Sequence, residues 1–130
     1  MEYLIKHYFL MNPWHLILLS VIFVGAGINH FRIPSFYEKM IPPYWKYPKF
    51  WNYLSGLMEI AAGILLLNHV YQVMAASLIF TMLILFFSVH IYMLQERHGK
   101  FKKIPEWILW ARIPLQFFLL YWASMYIRMV

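Results

Sequence analysis

A chain of 130 residues that is 63% apolar and 12% charged, with a mean hydropathy of +0.60, is too small to hide that much apolar surface in a water-soluble core. The net charge of +6 would suit nucleic acid in a soluble protein. Here the Lys and Arg residues sit in short segments between apolar runs, so a lipid bilayer with anionic headgroups is the expected partner and nucleic acid is not. With no cysteine, disulfides, thiolate metal sites and thiol chemistry are excluded.

In chain order, residues 1–12 carry a single lysine and scattered aromatics, which reads as an interfacial segment rather than a cleavable signal peptide. Four runs then approach the roughly 20 apolar residues that a helix needs to cross the hydrocarbon core. They are 14–31, 50–67, 71–94 and 105–127. Backbone groups in lipid must be paired internally, so each run is predicted helical. The fold class is therefore all-α, a single integral membrane domain over 1–130 built as a four-helix bundle. Asn12 and Pro13 form a start signal for the first helix, and Pro105 opens the fourth. Between the first two runs, Ser35 and Glu38 have capping-box spacing, which predicts a short interfacial helix over 36–41 that Pro42 and Pro43 stop. Residues 68–70 form a tight turn between the second and third helices, and 95–104 is a polar loop.

Arg32, Lys39, Lys46, Lys49, Arg97, Lys100, Lys102 and Lys103 fall in loops 1 and 3, against Lys6 and Arg128 on the opposite side. The positive-inside rule places loops 1 and 3 in the cytoplasm and both termini outside, as expected for a bacterial inner-membrane protein.

Six polar groups interrupt the apolar runs: Asn29, His30, Glu59, His90, Arg112 and Gln116. Counted from the loop 1 and loop 3 ends at 1.5 Å per residue, His30, His90, Arg112 and Glu59 lie roughly 2 to 14 Å deep, in one half of the bilayer. Gln116 reaches close to the midplane. Four helices contributing polar groups to one leaflet point to a shared polar pocket. Arg112 and Gln116 are i,i+4; Ser55, Glu59 and Gly63 form another such row, and Gly25 with Asn29 a third. Pro114 is expected to kink the last helix beside Arg112. Glu59 and Arg112 are expected to be adjacent and mutually neutralising, since an unpaired charge at that depth costs about 3 kcal/mol. The plainer readings are a structural ion pair, an interhelical hydrogen bond at Asn29 and a solvated boundary position for His30. No phosphate loop, HExxH motif or GxSxG elbow occurs.

Gly-Ile-Asn-His-Phe-Arg-Ile-Pro-Ser-Phe-Tyr-Glu-Lys-Met-Ile-Pro-Pro at 27–43, Ser-Gly-Leu-Met-Glu-Ile-Ala-Ala-Gly-Ile-Leu-Leu at 55–66 and Arg-Ile-Pro-Leu-Gln at 112–116 together resemble the DoxX-like family of small four-helix membrane proteins. The resemblance covers roughly 14–127 and implies that His30, Glu59, Arg112 and Gln116 are family-type polar positions. It implies quinone-linked redox chemistry: a protein that binds a quinone or similar amphiphile, serving as the membrane subunit of an oxidoreductase. In that picture Arg112 and His30 hold a carbonyl or anionic head, and Glu59 steadies Arg112 or relays a proton. Two other readings stay open. One is a non-enzymatic protein that binds lipid, a partner subunit or a second copy of itself, with a purely structural polar cluster. The other is haem b ligated by His30 and His90.

Overall fold

The computed structural model describes residues 1–4 and 13–128. The proposed interfacial segment and the Asn12 cap fall largely outside the described residues.

Over residues 13–128 the described helices follow in the order α1 (Trp14–Arg32), α2 (Pro34–Met40), α3 (Pro48–Leu65), α4 (Gln72–Gln95) and α5 (Glu106–Arg128). No strand occurs among the described residues. Three of these helices, α1, α4 and α5, are long and apolar enough to cross a membrane. The 18-residue α3 is more polar, because it carries Lys49, Asn52 and Glu59.

Proline sets two of the starts. Pro34 and Pro48 stand in the first turns of α2 and α3, where a missing N–H costs nothing. Ser35 therefore lies inside α2 and makes no capping hydrogen bond, which corrects the expected capping box. Because Pro34 already fixes the first helical φ, the helix begins before the serine can act. Tyr47, just ahead of Pro48, takes the left-handed conformation with φ 61°, an uncommon one outside glycine. In the expected turn, the Asn68 side chain accepts the Val70 N–H at 2.9 Å and its carbonyl accepts the Tyr71 N–H at 3.1 Å. Helix α5 runs on through Pro114.

The helices associate as two pairs. Along α1 and α3 the contacts run in opposite order, Ser20 to Gly63, Gly27 to Gly56 and His30 to Asn52, so the pair is antiparallel. Along α4 and α5 they run Arg97 to Glu106, Met93 to Arg112 and His90 to Gln116, antiparallel again. A smaller α3–α4 interface joins the pairs, and α2 packs across α1, α3 and α4 at one end.

Glycine makes the first pair close. A Cβ on Gly27 would lie 2.6 Å from the Gly56 carbonyl oxygen, and one on Gly56 would lie 2.7 Å from the His30 Cβ. Gly25, expected at this contact, has nothing within 4 Å. Two residues along a helix is about 200° of rotation, enough to exchange one face for the other.

Apolar packing forms two clusters. One, around Leu19, Phe23, Leu66, Ile79 and Leu83, lies toward the 66–71 turn; the other, Met40, Met93, Phe101 and Leu109, lies toward the two polar loops. Large apolar side chains such as Val21, Ile28, Ile84, Ile91, Phe117 and Phe118 face outward, as lipid contact requires.

Candidate functional site

Between the two helix pairs lies a cavity of about 490 Å³, within the usual range for small-molecule sites. Apolar side chains make up most of its wall, and the polar groups gather on two facing sides. His30, Asn52, Ser55 and Glu59 come from the α1/α3 pair; His90, Arg112 and Gln116 come from α4/α5. Tyr37, Met40 and Ile41 of the α2 region close one end. Phe36, next to Tyr37 in α2, does not line the cavity and is exposed. Ile22, Leu85 and Leu115 line it while remaining substantially exposed, so the cavity opens to the side at the height of the apolar surface.

On the first wall, Asn52 fixes the chemistry. Its Nδ2 donates to the His30 carbonyl at 3.1 Å, which turns its Oδ1 toward the His30 ring at 2.8 Å. An amide oxygen only accepts, so His30 Nδ1 carries the proton. Nε2 of the same ring then stands 3.4 Å from Glu59 Oε2. This is an ion-pair contact, and Glu59 Oε2 is itself buried with no hydrogen-bond partner among the described residues. Tyr37 stacks on the His30 ring, with centroids 4.0 Å apart. The Tyr37 hydroxyl accepts from Asn29 Nδ2 at 3.0 Å, and Asn29 Oδ1 accepts from Arg32 Nε at 2.9 Å. Asn29 thus ties α2 to the end of α1 and does not line the cavity.

On the second wall, Gln116 plays the part of Asn52. Its Nε2 donates to the Leu83 carbonyl at 2.6 Å, and its Oε1 accepts from His90 Nε2 at 3.2 Å. By the same logic His90 Nε2 bears the proton, and its Nδ1 is buried with no hydrogen-bond partner among the described residues. Arg112 Nη1 donates to Met93 Sδ at 2.9 Å, a weak acceptor for a cation.

The expected Glu59–Arg112 ion pair is absent. The ion pairs among the described residues are His30–Glu59 and Arg97–Glu106. The reason lies in the pairing of helices: Glu59 sits on α3 against α1, Arg112 sits on α5 against α4, and α3 and α5 share no substantial interface. Comparable depth placed the two residues at one level without making them neighbours. The haem expectation does not fit this chain, because both ring nitrogens of His30 are engaged, by Asn52 and Glu59, and an axial bond would displace one of them.

Asn52, which is not among the six polar groups named from the sequence, is 1% exposed and holds His30. Its signal was its position seven residues before Glu59, two turns away on the same face. His15, also outside those six, is buried at the far end of α1, with Nδ1 2.8 Å from the Tyr126 hydroxyl.

Residues 19–127 match the family model described as Domain of unknown function (DUF8561), and the chain belongs to that family. This overturns the DoxX-like resemblance, and the redox role that the resemblance implied loses that support. The stretches that carried the likeness are helix-packing features here: Gly27 and Gly56 at the close approach, His30 at the interhelical bond, and Pro114 and Gln116 on the last helix. No curated protein and no solved structure matches the chain.

Proposed function

We propose that this member of the DUF8561 family is a four-crossing membrane protein that takes up one amphiphile, a lipid or a quinone-like molecule, into the cavity between its helix pairs. The observation that carries the reading is the cavity itself: about 490 Å³, apolar over most of its wall, polar at two facing sides and open laterally. A tail fits the apolar part, a head reaches Glu59 and Arg112, and the opening lets the molecule enter from the bilayer without passing through water.

The fourth crossing is α3. It lies antiparallel to α1 from Asn52 to Gly63, opposite residues 30 to 20, so it follows α1 through most of its depth. Its 18 residues span about 27 Å, and the apolar Leu66 and Leu67 extend it. With loops 1 and 3 cytoplasmic, a reporter fused after residue 128 reads as external; a cytoplasmic signal would reverse the orientation.

The test of function is extraction of protein purified in mild detergent, followed by mass spectrometry. One amphiphile enriched at about one per chain supports the reading, whereas bulk lipids in membrane proportions would sink it. A structural reading has its own support, since the His30–Asn52 and His90–Gln116 bonds each join two helices within one pair. Those four residues act as clamps in either case. Glu59 and Arg112 are the groups left facing the gap.

A further inference from the structure

The guanidinium on the cavity wall has no acidic partner within reach among the described residues. From α1 and α3 come His30 and Glu59, which stand within ion-pair distance of each other at 3.4 Å. From α2 comes the Tyr37 phenol, whose oxygen accepts from Asn29 Nδ2. From α4 comes His90, whose Nε2 proton points to Gln116; an added proton at Nδ1 would make it positive, never negative. From α5 comes Arg112, which stays protonated in proteins. No carboxylate among the described residues is within ion-pair distance of it. Five acids are present in the whole chain: Glu59 is held by His30, Glu106 by Arg97, and Glu2, Glu38 and Glu96 do not line the cavity.

A guanidinium with five donors and a thioether as its recorded acceptor, on the wall of a largely apolar cavity, is an expensive arrangement unless something anionic completes it. We infer that the amphiphile in this cavity is an anion, carrying a carboxylate or a phosphate that Arg112 holds by charge-assisted hydrogen bonds. The inference rests on the amphiphile-binding reading above and narrows its chemistry: a neutral quinone would leave the charge uncompensated. A fatty acid and a monoalkyl phosphate both satisfy it.

The test uses the full chain in nanodiscs of zwitterionic phosphatidylcholine and three probes with one common tail: palmitic acid, cetyl alcohol and cetyl phosphate. Each competes against radiolabelled palmitate, and direct binding of labelled cetyl alcohol is measured alongside. The acid or the phosphate should bind at least about tenfold more tightly than the alcohol, the scale of one charge-assisted hydrogen bond. Whichever of the two anions binds better identifies a carboxylate or a phosphate head. In Arg112→Gln, which keeps hydrogen-bonding groups but loses charge, the anion should weaken by about the same factor while the alcohol is unchanged; Arg112→Lys should recover part of the loss. Equal binding of acid and alcohol to the wild-type protein overturns the anionic assignment and leaves the amphiphile reading standing. Failure of all three probes to bind overturns both, and this comparison needs no variant to fold.

Discussion

The two helix pairs solve the same packing problem in different ways. In α1/α3 the backbones approach each other through Gly27, Gly56 and Gly63, and Ser20 donates to the Gly63 carbonyl at 2.5 Å. In α4/α5 the contact is made by bulky side chains, with Phe87 beside Phe117 at 5.0 Å and Met93 and Leu109 buried. Lipid supplies no hydrophobic force between helices, so the first pair gains its stability from backbone proximity and polar bonds, and the second from dispersion between large groups. The pairs meet at the end of the 66–71 turn, where Leu19, Leu66, Ile79 and Ala123 share one cluster and His15 bonds the Tyr126 hydroxyl at 2.8 Å. Toward the polar loops the polar bonds of His30 and His90 stay within their own pairs, and the cavity lies between them.

If this contrast is right, the largest effect comes from Gly27→Leu. The new side chain meets the Gly56 oxygen and Ile60, so the variant should lose about 3 kcal/mol in reversible unfolding by sodium dodecyl sulfate. A loss near zero would mean that α1 and α3 do not approach as described. Asn52→Leu comes next, at about 2 kcal/mol, because it removes both bonds to His30 and leaves Nδ1–H buried without an acceptor. Gln116→Leu in the other pair should cost only about 1 kcal/mol, since dispersion carries more of that contact and the bond to His90 is long at 3.2 Å. A larger loss at Gln116 than at Asn52 would invert the comparison. The smallest effect belongs to Gly25→Ala, which meets nothing and should stabilise by about 0.5 kcal/mol through reduced freedom of the unfolded chain. Destabilisation there would place Gly25 in a contact.

Helical class and the gathering of polar groups at one depth were legible because both follow from one-dimensional quantities, apolar run length and rise per residue. His30, Glu59, His90, Arg112 and Gln116 do line one cavity. Which helix pairs with which was not legible. Glu59 and Arg112 have opposite charge and similar depth, yet His30 holds the acid and Met93 meets the guanidinium, because α3 pairs with α1 and α5 with α4. Gly25 and Gly27 differ by two positions, and only rotation about the helix axis decides which one meets α3. Asn52 acquires its role only from His30 on the facing helix, a neighbour that run length and depth do not specify.

The central claim is that one molecule occupies the space between the two pairs. Native mass spectrometry of the wild-type protein and of Ala26→Phe tests it most directly. Ala26 lines the cavity without taking part in any of its polar bonds, so the larger side chain fills the space and leaves the clamps intact. The account predicts a wild-type spectrum with one bound amphiphile, and an Ala26→Phe spectrum in which that adduct is lost while the protein remains folded by circular dichroism. The same adduct at the same occupancy in both proteins would contradict it.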